Sequence, residues 1–265
     1  MNPARPLHGR CALITGAEAG LGLAIADTLA RSGADIVMHC LQANESARQA
    51  QAALAREPRR AGAAAAGRPA DVDQIEAMAA QALAELPRLD ILVNNAVVRH
   101  FEPAHELPRA HWDESLAVNL SAAFHLARLA LPGMLAQGWG RIINLSSVYG
   151  AGAAANRVGY VTTKTALLGL TRALAVETAA SGITSNAVAP GTAPTPAIVG
   201  RITEIARRDG VAQEQAEREY LAARQPTGRF VAMENVAALV AFLCSDAGRD
   251  ITGATLPIDG GWTAA

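Results

Sequence analysis

Short β-type runs alternate with longer helical runs along almost the whole chain, and that rhythm belongs to a parallel sheet covered by helices. The apolar run Cys11 to Thr15 is a compact strand, and apolar residues recur at helical spacing from Leu21 to Arg31, with Gly33 where a helix stops. The same reading gives strands at Asp35 to His39, Ala61 to Ala70, Asp90 to Asn94, Arg141 to Leu145, Ile183 to Ala189 and Ala254 to Ile258. Ala61 to Ala70 is Ala/Gly-rich, and only its place in the alternation makes it a strand. Helices are expected over Asn44 to Arg56, Val72 to Leu86, Trp112 to Gln137 and Gly159 to Ala180, and Ala238 to Cys244 falls in a late helix.

Two segments break the alternation. Arg99 to His111 holds Pro103, Pro108 and three histidines, and reads as a loop in which His100, His105 and His111 are solvated. Thr192 to Phe230 interrupts the last strand–helix unit with a Pro-rich start and a charged amphipathic stretch, and an insertion of that length reads as a lid on a single domain. Trp112 and Trp139 read as packing against helix ends.

Charge and cysteine content narrow the function classes. The 23 basic residues against 24 acidic ones leave a net charge of −1, without the basic excess of a nucleic-acid protein. Cys11, Cys40 and Cys244 are odd in number and far apart, and neither they nor the histidines show ligand spacing, so no disulfide frame and no metal site is expected. With no apolar run of membrane length and no leader-like start, a soluble, cytoplasmic protein is expected, with no membrane partner.

Chemistry enters at two motifs. Thr15-Gly16-Ala17-Glu18-Ala19-Gly20-Leu21-Gly22 follows the first strand and opens the first helix, where glycines permit a tight turn and a pyrophosphate rests on the positive helix end. Tyr160 and Lys164 lie four residues apart on one helix face, and an ammonium beside a phenol favours phenolate, which makes a usable acid–base group near neutrality. Ser147 follows the fifth strand at the carboxyl edge of the sheet, where ligands bind in open parallel sheets.

Together with Asn94-Asn95-Ala96, Asn119 and Pro190-Gly191, these residues resemble the short-chain dehydrogenase/reductase superfamily across nearly the whole chain. The resemblance implies an α/β fold of Rossmann type: a doubly wound, seven-stranded parallel sheet with helices on both faces, assembled as a homotetramer. It implies that Tyr160 exchanges the hydroxyl proton, Lys164 lowers its pKa and holds the nicotinamide ribose, Ser147 polarises the reacting oxygen, and Asn119 positions a relay water. By the same carry-over, Gly16, Glu18, Gly20, Leu21, Gly22, Leu41, Asp71, Val72, Asn95, Ala96, Pro190, Gly191 and Thr195 hold the dinucleotide. The family pattern has Gly after Asn94-Asn95-Ala96, but this chain has Val97, whose side chain narrows the room beside the adenosine ribose. Asn94 is left between a cofactor contact and a tie between strands.

His39-Cys40-Leu41-Gln42 at the end of the second strand supplies neither an acid for the ribose nor a cation for a 2′-phosphate, and Ala19 lacks a basic side chain. That set favours NAD over NADP. Within the superfamily, Gly33 to Val37, Gly140 to Asn144, Ala175 to Ile183, Gln225-Pro226, Phe230-Val231 and Asp259 to Ala264 are similar to bacterial D-3-hydroxybutyrate dehydrogenases. Where those enzymes hold the acid with Gln, His, Lys, Trp and Gln, this chain has Arg99, Tyr149, Arg157, Thr192 and Arg201, and Trp262 is kept. Three guanidiniums suit a small anionic substrate, since Arg binds carboxylates through two parallel hydrogen bonds. Some of the three, Arg201 first, can equally face water on the lid. The expected reaction interconverts a hydroxy acid and its oxo acid. A sugar, polyol or 3-oxoacyl substrate and a non-catalytic dinucleotide-binding protein are the alternatives.

Overall fold

The computed structural model describes residues 5–40, 45–54, 61–66, 72–85 and 88–265, with the backbone alone at 61–66 and at some helix positions, including Val72. Strands β1 (Cys11–Thr15), β2 (Asp35–Cys40), β3 (Ala61–Ala66), β4 (Ile91–Asn94), β5 (Gly140–Leu145), β6 (Ile183–Pro190) and β7 (Thr255–Ile258) lie in the order β3-β2-β1-β4-β5-β6-β7, and every neighbouring pair is parallel. Six of them are described with their side chains, and β3 joins the edge through backbone pairing with β2. β1, β4, β5 and β6 are buried along their whole length, as strands covered on both faces must be.

The helices are α1 (Gly20–Arg31), α2 (Glu45–Leu54), α3 (Val72–Glu85), α4 (Arg109–Leu116), α5 (Ala122–Gln137), α6 (Val158–Thr178), α7 (Pro196–Asp209), α8 (Gln213–Ala222) and α9 (Met233–Cys244). One apolar core joins α1 and α9 to one face of the sheet through Ile14, Ile25, Leu29, Val236 and Val240. The second joins α3, α5 and α6 to the other face through Leu13, Ile75, Leu126, Ile142 and Leu174. Among the described residues, no helix is long and apolar enough to cross a membrane.

One expectation needs correction. The long helix expected from Trp112 begins at Arg109, because Pro108 fits the position just before a first turn, and it is broken by a π-turn over Ala117–Ser121. The third strand is described only as far as Ala66, and 67–70 lie outside the described residues. The lid is two helices, α7 and α8, with a small core of their own built from Ile202, Ala206, Ala216, Tyr220 and Leu221. Trp139 packs between guanidiniums, with Arg10 at 3.7 Å and Arg141 at 4.3 Å from its ring centre.

A buried polar chain crosses the middle of the sheet. Asn94 Nδ2 donates to Asn144 Oδ1 at 2.8 Å, Asn144 Nδ2 donates to Thr171 Oγ1 at 2.9 Å, and that hydroxyl donates to the Leu167 carbonyl at 2.7 Å. Asn94 is therefore a tie between β4 and β5. Asn144→Ala strands the Asn94 amide in a fully buried setting, and we expect a loss of about 2 kcal/mol or more, read as a lower urea midpoint at unchanged slope.

Candidate active site

The strand order switches between β1 and β4, so the connections leaving their carboxyl ends run to opposite sides of the sheet and leave a crevice beside the glycine turn. Gly16 (φ +63°) and Gly20 (φ +59°) both adopt left-handed backbone, and a Cβ at Gly16 would lie 2.9 Å from the Ala96 Cα. Asn95 fastens this turn, its Nδ2 donating to the Thr15 carbonyl at 2.9 Å and the Gly16 carbonyl at 2.8 Å. Thr15 Oγ1 accepts from the backbone N–H groups of Asn95 (2.9 Å) and Ala96 (3.0 Å). The first residues of α1 have no side-chain cap at Ala19, so their N–H groups are open to an anion. A dinucleotide pyrophosphate fits that arrangement.

The catalytic candidates are presented by α6 and the turn after β5. Ser146 Oγ donates to the Lys164 carbonyl at 2.9 Å and Thr165 Oγ1 to the Gly150 carbonyl at 3.2 Å, which holds the turn against the helix. Gly159 lets α6 approach α4, since a Cβ there would lie 2.9 Å from Ser115 Oγ. Ser147, Tyr160 and Lys164 are all buried, and Ser147 Oγ accepts from the Tyr149 N–H at 3.3 Å. Burial pushes the Tyr160 phenol up, but the charges of Lys164 and Arg99 and hydrogen bonds with Ser147 and Arg99 outweigh it, and the phenol ends below its ordinary value.

Lys164 Nζ donates to the Leu145 carbonyl at 2.5 Å and lies 5.7 Å from the Tyr160 ring centre. Burial brings the Lys164 ammonium down to about 8, against the pull of Tyr160 in the other direction. It is the only lysine in the chain, the other 22 basic residues being arginine, a signal that sequence reasoning missed.

Asn119 sits in the π-turn with its side chain fully engaged. Its Oδ1 accepts from the Val98 N–H at 2.8 Å, and its Nδ2 donates to the Val98 carbonyl at 3.0 Å and to Thr163 Oγ1 at 3.3 Å. A cavity of about 10 Å³ lies between Asn119 and Lys164, walled also by Thr15, Asn94 and Ala96.

A larger cavity, of about 320 Å³, is shared by Ser147 and Tyr160 with Arg99, Tyr149, Arg157, Thr192, Arg201 and Trp262. Leu21, Pro190, Gly191 and Thr195 line it too, so twelve of the residues singled out from sequence meet around one space. Phe101, Tyr220 and Arg224 are lining residues that sequence reasoning missed. Trp262, Tyr149 and Tyr160 form an edge-to-face aromatic run, with ring centres 5.6 and 6.2 Å apart. Arg157 lies over Phe101 (4.8 Å) and Tyr149 (5.2 Å), and Arg201 stands 5.8 Å from Phe101. A wider open groove on the outer side of α7 shares Arg201 and Phe101 but contains none of the acid–base residues.

The remaining candidates are dispersed. Leu41 and Asp71 lie outside the described residues, Val72 is placed only as the start of α3, and Val97 is half-buried. Burial, with a smaller contribution from the charge of Glu18 on the glycine turn, pushes the Cys40 thiol up to about 11. The reading of His100 and His111 as solvated loop positions is corrected, because their rings stack 3.9 Å apart.

Comparison with known proteins agrees with this geometry. A family model described as enoyl-(acyl carrier protein) reductase matches residues 16–263, and the chain belongs to this family of short-chain dehydrogenases/reductases. It is an NAD(P)-dependent oxidoreductase of the alcohol type. It is 40% identical over 258 residues to the D-beta-hydroxybutyrate dehydrogenase of Cupriavidus necator, covering 97% of this chain and 99% of that one. It is also 40% identical over 259 residues to the cis-4-hydroxycyclohexanecarboxylate dehydrogenase of Sinomonas cyclohexanicum, covering 96% and 97%. The L-sorbose reductase of Gluconobacter frateurii, solved with NADPH and L-sorbose, superposes with a TM-score of 0.93 at 29% identity, covering 99% of both chains.

Arg99 lies 5.4 Å from the Tyr160 ring centre and is a second cation on the phenol. Removing it disfavours phenolate, so Arg99→Met is expected to move the acid limb of the kcat/KM profile for alcohol oxidation to higher pH. A limb that stays in place would remove Arg99 from the acid–base group.

Proposed function

We propose that the chain is an NAD(H)-dependent dehydrogenase for a hydroxy acid bulkier than 3-hydroxybutyrate or bearing a second anionic group. The observation that carries this reading is the cavity itself, where Arg99, Arg157 and Arg201 surround the space that Ser147 and Tyr160 face. Thr192 supplies a small wall, and the aromatic faces of Phe101, Tyr149 and Trp262 suit a carbon skeleton larger than four atoms. The similarity to a hydroxycyclohexanecarboxylate dehydrogenase supports a larger hydroxy acid.

The cofactor would rest its pyrophosphate on Gly16, Gly20, Leu21 and Gly22. Asn95 and Ala96 would flank the adenosine side with Leu41, Asp71 and Val72, and Pro190, Gly191 and Thr195 would flank the nicotinamide. The absence of lysine and arginine from His39-Cys40-Leu41-Gln42, which leaves no cation for a 2′-phosphate, supports NAD. The nicotinamide, when bound, supplies or accepts the hydride.

Tyr160, as phenolate, takes the hydroxyl proton during oxidation and returns it during reduction. Ser147 hydrogen-bonds the same substrate oxygen, and Lys164 favours the phenolate through its charge. The side chain of Asn119 is occupied by Val98 and Thr163, so this residue acts on a relay water through its backbone carbonyl. The small cavity beside Lys164 is about the size that one water needs. Four-subunit assembly belongs to the same reading and is supported by the exposed apolar side chains Phe124, Leu135 and Val176 on α5 and α6.

Two measurements test the reading. A substrate panel followed at 340 nm should give its highest kcat/KM on a cyclic or dicarboxylic hydroxy acid with NAD, and Arg157→Ala should raise KM for those acids by about ten-fold or more. Best turnover on neutral sugars, untouched by Arg157→Ala, would overturn it. Tyr160→Phe should lose turnover while NADH still quenches protein fluorescence with near wild-type affinity.

A further inference from the structure

Away from the acid–base residues, the segment after β4 folds back on the start of α4 and gathers four ionisable side chains. Glu106 and Leu107 N–H groups both donate to the Pro103 carbonyl at 3.0 Å, and the resulting turn brings Glu102 against His111. His111 Nδ1 lies 3.1 Å from Glu102 Oε1, and His100 Nε2 lies 2.9 Å from Glu114 Oε2. The two imidazoles stack at 3.9 Å with 11° between their planes. One nitrogen from each ring and one Glu102 oxygen all lie within 4.8 Å of one another.

Simple ion pairing leaves this cluster incomplete. Glu102 Oε2 is shielded from solvent and has no hydrogen-bond partner among the described residues. An acceptor in that position is costly unless a cation or donor faces it. Two imidazoles and a carboxylate are the donor set of a borderline divalent ion, whereas magnesium and calcium prefer oxygen ligands alone. Tetrahedral coordination at about 2.0–2.2 Å needs donor atoms about 3.3 Å apart, so small side-chain rotations would close the cluster. All three donors are half-buried, and the two prolines, Pro103 and Pro108, restrict the backbone between them.

We propose that His100, Glu102 and His111 bind one divalent transition-metal ion of the zinc or cobalt type, with a water in the fourth position and Glu114 orienting the His100 ring from outside the coordination sphere. The ion would clamp the loop that carries Arg99 and Phe101 into the large cavity, a placement independent of which alcohol is oxidised. Its role is structural. No reacting atom has to reach it.

The test uses the full chain stripped with a chelator and titrated with Co²⁺, followed by visible d–d absorption and then by displacement with Zn²⁺. One equivalent per chain is expected, with a higher Tm for the loaded protein. His111→Ala and the near-isosteric Glu102→Gln should each weaken binding by about ten-fold or more, while the exposed His105→Ala binds as wild type. Circular dichroism of Glu102→Gln confirms that a loss of binding is not a loss of fold. No saturable Co²⁺ spectrum, unchanged binding in both ligand variants, or equal affinity for Mg²⁺ would overturn the proposal. Because the readout is absorption and melting, its failure is distinct from failure of the hydroxy-acid reading.

Discussion

The arrangement depends on one ammonium kept where water barely reaches. Lys164 is 3% exposed, and burying an isolated cation is expensive unless polar partners replace its hydration. Here the Leu145 carbonyl at the end of β5 accepts from it and the Tyr160 ring lies close by. The low local dielectric that makes Lys164 easier to deprotonate also strengthens its field at the phenol. An ammonium suits this place better than a guanidinium: it is a compact point charge on a flexible stem, and it does not demand planar bidentate partners. A chain that uses arginine at every other basic position keeps its single lysine here.

From that constraint the surrounding packing becomes intelligible. The ammonium stays in reach of the phenol only if α6 is held against the end of β5, and the Ser146 and Thr165 hydrogen bonds with Gly150 and Lys164 do this. The π-turn at Asn119 lets its amide bridge Val98 and Thr163, joining the loop after β4 to α6. Gln225 fastens the base of the lid, accepting from the Thr192 N–H and donating to the Arg229 carbonyl. Asp259 caps the closing turn by accepting from the Gly261 and Thr263 N–H groups, which sets Trp262 against Tyr149. Together these ties place residues from several segments around one cavity.

Strand and helix order was legible because apolar periodicity is a local signal, and the Ser147, Tyr160 and Lys164 set was legible because its spacing is fixed by a helix face and a strand end. What escaped depends on tertiary contact. The π-turn leaves no period in Ala117–Ser121, since one wide turn within a long apolar stretch changes no residue class. The expected cofactor residue Asn95 proved to be occupied by the carbonyls of the glycine turn, a contact some 80 positions apart in sequence. The His100–His111 stack likewise rests on a reversal of the chain between Pro103 and Pro108 that composition alone reads as loop.

The divergent wall of the cavity has a consequence for selectivity. Arg157, lying over both Phe101 and Tyr149, is held by two aromatic faces before any ligand arrives, so less side-chain freedom is lost when a carboxylate docks. A neutral alcohol in the same space would leave that guanidinium partly desolvated and unpaired. Discrimination by an unmatched polar group reaches orders of magnitude, whereas one extra methylene in an apolar pocket is worth only about 1–3 kcal/mol. Arg99 adds a second layer, because it faces Tyr160 as well as the cavity. On the proposed reading, an acid bound there would both be oriented by Arg99 and weaken its field on the phenol, so anion recognition and proton transfer would be coupled through one side chain.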